Sequence, residues 1–276
     1  MRKWAFTFLI LFLISNCVQK HKQVEKTYED GVEVVINHLE PYKIKGEFSQ
    51  LVLDEEIRID FEKKEFDGLV FRELGLVEAD SEGNIYLVET YKALEYFIYK
   101  FDKNGNYLEG LARFGQGPGE LQQIYTIQID NQDRILVSDI GNSKIVEYDN
   151  NFNFIIETRV KYGLREIIPL ENGNYLARRS SEEGMEYTPP FNSFFIDDEN
   201  RLYVMTYEKG EGEGEYIHDI FNSGGVFIGR KSIGIFGILG RSLNHRWATA
   251  KNRRFYRLIN KESGYMELVV YNMKWE

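Results

Sequence analysis

Short polar segments followed by apolar residues recur along the chain. Each copy places Asp, Asn or Gly within four or five residues, and aliphatic and aromatic residues follow. Asp, Asn and Gly favour tight turns, because they form local hydrogen bonds to the backbone or adopt positive φ angles. The pattern therefore predicts a β-hairpin at each of five places. These are residues 80–88, 130–137, 170–176, 197–204 and 250–256.

A second polar turn follows four of the five copies at a similar distance. The second turns lie in residues 99–108, 146–152, 219–226 and 269–273. Two hairpins make a four-stranded antiparallel unit, and its repetition is typical of the blades of a β-propeller. The 19 Phe, 18 Tyr and only 5 Pro also favour pleated strands. We therefore predict an all-β fold of four-stranded antiparallel blades.

Two segments resemble a known family. Residues 135–145 contain an apolar strand followed by Asp139, Asn142 and Lys144, which resembles the NHL repeat. Residues 114–121 are similar to the inter-blade segment of six-bladed β-propeller lipoproteins of bacteria. The resemblance implies a ring in which an N-terminal strand closes the last blade. Residues 32–37 fit this closing strand, and residues 51–53 and 57–59 would continue the same edge.

The third unit departs from the pattern. Too few residues separate the turns at Leu170 and Asp197 for a four-stranded blade. Pro189 and Pro190 stand where the second hairpin should be, and proline disrupts a central strand. We predict a truncated blade near residues 180–193. The sequence therefore predicts five propeller units with an irregular connection between two of them, or six units if the ring is complete.

The N-terminus has the pattern of an export signal. Arg2 and Lys3 precede the apolar residues 4–14, a stretch well short of the roughly 20 residues of a membrane-spanning helix. Cys17, the only cysteine, ends a segment that resembles the lipobox of bacterial lipoproteins, with Asn16 in place of the usual small residue. An ordinary secretory signal with an incidental cysteine is the alternative.

This resemblance implies a division of the chain and a location. Residues 1–16 would be the signal peptide, residues 17–30 a tether lipidated at Cys17, and residues 31–276 the propeller domain. The protein would be anchored by its lipid in the cell envelope. No acidic residue directly follows Cys17, which favours the outer membrane under the usual sorting rule for lipoproteins.

The charge of the chain limits its partners. The formal net charge is −10, and adjacent basic residues occur as isolated pairs such as Arg178-Arg179 and Arg253-Arg254. Nucleic-acid binding draws its affinity from Lys and Arg, so we expect no nucleic-acid partner, although some NHL proteins bind RNA. The expected partners are the membrane, through the lipid, and a protein or a small-molecule ligand.

No residue set in the sequence identifies a reaction, and we predict no catalytic residues. The glycines of residues 114–121 lack the Lys-Ser/Thr of a phosphate-binding loop. No two of the four histidines have the spacing of metal ligands on one strand or helix. His38, His218 and His245 would form a zinc site only if the blades brought them together. The histidines are His21, His38, His218 and His245. We predict no cofactor, with calcium as the alternative.

Two further segments have both a structural and a functional interpretation. The alternating Gly and Glu of residues 208–215 favour a flexible hairpin loop over a cation site. The apolar residues 233–239, flanked by Arg230-Lys231 and Arg241, favour a buried strand over an exposed patch. The sequence thus predicts a binding or scaffold module. A calcium-dependent propeller enzyme, such as a lactonase or a lyase, is the alternative.

Overall fold

A computed structural model describes most of the chain after residue 23. It describes residues 24–38, 50–63, 66, 69, 71, 74–89, 97–160, 194–212, 214–234 and 248–276, and gives the backbone alone for 164–169, 175–179 and 193. The regular elements in these ranges are β-strands. Within the same ranges, no helix has the length and hydrophobicity needed to span a bilayer.

The chain divides into two compact units, Met1–Glu40 and Pro41–Glu276. In the first unit, β1 (Val24–Glu29) pairs antiparallel with β2 (Val32–Asn37). The two residues between them, Asp30 and Gly31, have φ angles of 51° and 83°, which suit a two-residue hairpin turn. The prediction that residues 32–37 close the ring is therefore wrong, because the Asp-Gly turn pairs this strand locally with β1.

The second unit contains four four-stranded antiparallel sheets and one two-stranded sheet within the described ranges. Blade A is β4 (Leu74–Ala79), β5 (Ile85–Glu89), β6 (Ile98–Phe101) and β7 (Tyr107–Leu111). Blade B is β8 (Ile124–Ile129), β9 (Ile135–Asp139), β10 (Lys144–Tyr148) and β11 (Phe154–Arg159). The short unit is β12 (Leu164–Pro169) and β13 (Tyr175–Arg179).

The remaining two blades come from the C-terminal part of the chain and one earlier strand. Blade C is β14 (Ser193–Ile196), β15 (Leu202–Lys209), β16 (Glu215–Phe221) and β17 (Phe227–Gly234). Blade D is β18 (Ala248–Lys251), β19 (Arg254–Asn260), β20 (Met266–Trp275) and β3 (Leu51–Asp60). The predicted fold class, a propeller of four-stranded antiparallel blades, is confirmed.

Strand β3 completes blade D. It pairs with β20 from Asp60↔Glu267 to Leu51↔Trp275, and backbone hydrogen bonds between Gln50 and Glu276 extend the pairing. Closure by an N-terminal strand is therefore confirmed, although the strand is Leu51–Asp60. The predicted hairpin at residues 269–273 is wrong, because these residues lie inside the continuous strand β20. The fourth strand of this blade comes from the other end of the chain, so no turn is needed there.

The short unit stands where the sequence predicts a truncated blade. Strands β12 and β13 pair with each other alone in the described part of the chain. The predicted turn at residues 170–174, and Pro189 and Pro190, lie outside the described residues.

The hydrophobic core lies between neighbouring blades. One buried cluster joins blades D and A, with Tyr99 and Tyr256 fully buried; a second joins blades A and B; a third joins blades C and D. These three pairs of neighbouring blades thus bury their facing surfaces against each other, as in propellers. Burying one large apolar side chain contributes about 1.5–3 kcal/mol, so these interfaces supply much of the stability.

One turn chemistry explains why the sequence pattern repeats. At six turns within the described ranges, an Asp or Asn side-chain Oδ1 accepts hydrogen bonds of 2.8–3.0 Å from the backbone N–H groups two and four residues later. The residue three positions later has a positive φ angle. The accepting residues are Asp80, Asp102, Asp130, Asp149, Asp197 and Asn222.

Candidate functional site

The NHL-like motif holds two loops together. The Asp139 carboxylate accepts hydrogen bonds from the backbone N–H of Gln122 (3.0 Å) and Gln123 (2.9 Å), and from Asn142 Nδ2 (2.7 Å). Asn142 Nδ2 also donates to the carbonyl oxygen of Gly115 at 2.8 Å. These bonds join the β9–β10 turn to the segment that connects blades A and B. The motif therefore has a structural role here.

Lys144, the third motif residue, is buried beneath the same segment. Its Nζ donates to the Gly117 carbonyl oxygen (2.9 Å) and to Glu157 Oε2 (2.7 Å). The hydrogen bond from Lys144 holds the pKa of Glu157 below its usual value. Glu120 folds back on its own loop, where Oε2 accepts from the Gly117 N–H at 2.8 Å. Residues 114–121 are thus confirmed as an inter-blade segment, and its carboxylates are used for structure.

The histidines are not brought together in the described residues. His218, on β16, is fully buried, with Nδ1 3.0 Å from the Tyr216 carbonyl oxygen. Burial lowers the pKa of His218 to about 4. His38 lies in the N-terminal unit, 3.5 Å from Glu25. His21, His245 and Cys17 lie outside the described residues. Within the described ranges, no three His, Cys, Asp or Glu residues are placed to hold a metal ion.

A cavity of about 530 Å³ lies between blades C and D, and we call it the cleft. Strand β17 forms one wall, and strands β3, β19 and β20 form the other. Its apolar lining is Leu51, Leu53, Ile233, Phe255 and Tyr271, and its other lining residues are Gln50, Glu211, Glu215, Arg230, Lys231, Ser232, Gly234 and Arg257. Among the described residues, the lining thus combines five apolar side chains, of which Leu51, Ile233 and Phe255 are almost fully buried, with three cationic and two acidic side chains.

Ser232 fixes one rim of the cleft. Its hydroxyl donates to Glu215 Oε2 at 2.5 Å and accepts from the Glu211 N–H at 3.0 Å. The Gly212 N–H donates to the same Glu215 oxygen at 3.2 Å. The Gly–Glu segment is therefore the hairpin connection between β15 and β16, as predicted, with Glu213 outside the described residues.

The three cations of the cleft have different surroundings. Arg230 is paired with Asp219 (2.8 Å) and Glu208 (2.6 Å). Lys231 is the cross-strand neighbour of His218 and has no carboxylate partner among the residues that the structure describes. Arg257 lies against the backbone of Gly234, where an ideal Cβ would be 1.9 Å from its Nη2.

The sequence did not reveal this site. Arg230 and Lys231 appeared only as the flank of the apolar segment 233–239, and Ile233 and Gly234 of that segment are buried in β17 as predicted. Residues 235–239 lie outside the described residues. Arg257 could not be identified from a local sequence motif, because its neighbours in the cleft come from strands distant in sequence.

Several solved structures are similar to this chain at low identity. A putative exported protein of Bacteroides fragilis is 17% identical with a TM-score of 0.39, and the match covers 75% of this chain and 49% of that one. A DUF4221-family protein of Bacteroides vulgatus is 11% identical with a TM-score of 0.49, covering 83% and 99%. A gluconolactonase of Xanthomonas campestris is 10% identical with a TM-score of 0.40, covering 81% and 98%. These values assign no activity to this chain.

A match to a family model agrees with the observed blades. No curated relative is found at significant similarity. Residues 67–199, however, match the model of the DUF5128 family, which is described as a 6-bladed beta-propeller. Together with the four four-stranded blades, this match shows that the chain is a β-propeller, similar over residues 67–199 to the DUF5128 family.

Proposed function

We propose that the protein is an exported, lipid-anchored β-propeller that acts as a binding module. The cleft between blades C and D is the observation that carries this proposal. Its volume of about 530 Å³ lies within the roughly 300–1,000 Å³ of small-molecule sites. Propeller strands present such side chains from a rigid frame, which suits recognition.

The chemistry of the cleft favours binding over catalysis. The Ser232 hydroxyl donates to the Glu215 carboxylate and accepts from the Glu211 N–H, so both of its contacts serve to hold the hairpin rim of the cleft. The His218 imidazole is bonded to its own strand through Nδ1. The cleft therefore offers mainly charged and polar groups for holding a ligand.

The anchor is part of the proposal and has its own test. The apolar residues 4–14 and Cys17 support export and lipid attachment. We expect Cys17→Ala to abolish incorporation of labelled fatty acid and to release the full chain from the membrane fraction. Membrane retention equal to that of the wild type would contradict a lipid anchor at this residue.

The binding role is tested with the full-length C17A chain by thermal unfolding against organic acids, sugars and short peptides. A ligand that binds the folded state raises the unfolding temperature by mass action, and we expect at least one class to do so without being converted. The same samples are assayed for lactone hydrolysis, with and without a chelator and added calcium. Turnover that is lost with chelator and restored by calcium would replace the binding role with the enzyme alternative.

A further inference from the structure

The N-terminal hairpin has an edge that is suited to pairing with a second copy of the chain. We propose that β2 (Val32–Asn37) pairs antiparallel with β2 of another molecule, in a register that places the two Val34 residues opposite each other. The two hairpins then form one four-stranded sheet in the order β1-β2-β2-β1, with two-fold symmetry. This interaction goes beyond the proposed binding function and needs no residue of the cleft.

The hairpin is too small a sheet to be stable alone. In the described part of the chain, β1 and β2 pair only with each other. An isolated two-stranded hairpin is at best marginally stable in water, and a stable sheet needs three or more strands or a packed face. Large side chains of the hairpin remain in contact with solvent: Tyr28 is 71% exposed, Val32 66% and Ile36 39%. A second hairpin supplies the missing strands.

The distribution of charge selects β2 as the pairing edge. Strand β1 carries Glu25, Lys26 and Glu29, and charged side chains on an edge strand oppose its pairing with another chain. Strand β2 carries one charged residue, Glu33, and its carboxylate already pairs with Lys26 at 2.7 Å. The β2 edge is therefore the one that accepts a further strand.

The backbone of the hairpin limits the possible registers. The turn closes at the pair Glu29↔Val32, and hydrogen-bonded and non-hydrogen-bonded pairs alternate from there. Glu33 and Val35 therefore direct their N–H and C=O groups to the free edge, whereas Val34 directs its own to β1. In a sheet centred on Val34, Glu33 of each copy exchanges hydrogen bonds with the partner's Val35. The two Val34 residues then form a non-hydrogen-bonded pair.

The apolar side chains match in this register. Val32, Val34 and Ile36 lie on one face of β2, because alternate residues of a strand share a face. Pairing centred on Val34 places Val32 opposite the partner's Ile36 and the two Val34 side chains opposite each other. The three β-branched side chains of each copy thus form one apolar band across the sheet. Direct contact between opposite side chains is what stabilises neighbouring strands.

The two neighbouring registers that keep this face fit less well. A register centred on Glu33 places the two Glu33 carboxylates opposite each other, and like charges in that position are destabilising. A register centred on Val35 places Val32 opposite the partner's His38, which shortens the apolar band. The pattern of β2 therefore selects the register centred on Val34.

A single cysteine tests the register. The full-length C17A chain contains no thiol, so Val34→Cys introduces the only one. Opposite residues of a non-hydrogen-bonded pair have Cα atoms about 4.5 Å apart, which a disulfide spans. We expect oxidation by diamide to convert most of this variant into a disulfide-linked dimer on non-reducing electrophoresis. Val35→Cys is the matched control, because each Val35 faces the partner's Glu33 and the two thiols lie beyond the reach of about 7 Å.

Sedimentation equilibrium of the same C17A chain measures the association without a cross-link. Val34→Lys should raise the dissociation constant of the dimer about tenfold or more, because it places like charges opposite each other. Thr27→Lys, on β1 across from Val34, should leave the constant unchanged. A chain that stays monomeric, a dimer that is indifferent to Val34→Lys, or cross-linking that is as fast through Val35→Cys overturns the inference. None of these results bears on ligand binding in the cleft.

Discussion

Arg257 occupies the space that a side chain at position 234 would fill. An ideal Cβ built on Gly234 would lie 1.9 Å from Arg257 Nη2 and 2.3 Å from Cζ. No two heavy atoms that are not bonded approach so closely, so the guanidinium can remain there only beside glycine. The last residue of β17 thus controls the position of a cation on the neighbouring blade.

Gly234→Ala should therefore move the Arg257 guanidinium out of its present place. We expect the folded state to lose about 1–3 kcal/mol of stability from overpacking. Chemical denaturation measures this loss. Gly224→Ala is the control, because an added Cβ there meets only Asn222 Oδ1 at 3.4 Å. A Gly234→Ala protein that behaves like the control would show that the guanidinium moves aside freely.

Lys144→Met should destabilise the propeller strongly. The change removes the hydrogen bonds to Gly117 and Glu157 and leaves the Glu157 carboxylate without its cation. Removing one partner of a buried ion pair costs about 3–5 kcal/mol, and the partial exposure of Glu157 places the expected loss near the lower end. Urea denaturation measures the change.

The matched control for this prediction is Lys274→Met. Lys274 also pairs with a carboxylate, Asp54, but both side chains are about half exposed. Exposed pairs contribute little, so the stability should stay close to that of the wild type. Equal losses of stability in Lys144→Met and Lys274→Met would mean that the burial of Lys144 does not strengthen the stabilisation that its contacts provide.

Asp80→Ala should weaken the turn between β4 and β5. The carboxylate, buried in the fold, accepts hydrogen bonds from the Glu82 and Asn84 N–H groups, from Asn84 Nδ2 and from the Tyr86 hydroxyl. Leaving these donors unsatisfied should cost about 2–4 kcal/mol. Thermal unfolding measures the loss, and Glu82→Ala, in the same turn but exposed, should change little. An unaffected Asp80→Ala protein would contradict a stabilising role for this turn chemistry.

The turns were predictable from the sequence because their chemistry is local. Asp80, Asp130 and Asp197 each bond to backbone groups within four residues, so the sequence pattern and the structure coincide. The closing strand was misplaced because pairing between β3 and β20 joins opposite ends of the chain. Residues 32–37 have a similar apolar pattern, but the adjacent Asp30-Gly31 turn pairs them with β1.

The candidate site was less predictable than the turns, because many of its contacts join residues that are distant in sequence. The NHL-like residues Asp139, Asn142 and Lys144 were found, since they lie close together in sequence, and their contacts prove structural. The cleft is built from strands distant in sequence. Lys231 and Arg257 line one cavity although they stand on strands of two different blades, β17 and β19.

The buried imidazole of His218 predicts a pH dependence of stability. Nδ1 lies 3.0 Å from the Tyr216 carbonyl oxygen, which requires Nδ1 to carry a proton, and Nε2 has no hydrogen-bond partner in the part of the chain that the structure describes. Lys231 is a cross-strand neighbour, Met205 is the other, and the Phe195 ring packs 6.0 Å away. The imidazole is therefore held neutral in the fold.

The direction of the pH effect follows from the lowered pKa. The pKa of His218 is about 4 in the folded protein, and its ordinary value is 6.5. Between pH 4 and pH 6.5, His218 is therefore protonated in the unfolded chain and neutral in the folded protein. Stability should fall as pH decreases from about 6.5 to about 4, by up to about 3 kcal/mol, and this contribution should then level off.

Replacing His218 separates its contribution to the pH dependence of stability from that of the carboxylates, which titrate in a similar pH range. His218→Asn keeps a donor close to the Tyr216 carbonyl oxygen and cannot titrate, so its unfolding free energy should change less with pH over the same interval, whatever its value at pH 7. His38→Asn, at a half-exposed histidine, should keep the wild-type pH dependence. Urea titrations at closely spaced pH values provide the comparison. If His218→Asn loses stability with acid as steeply as the wild type, His218 is not the group that makes the fold sensitive to pH.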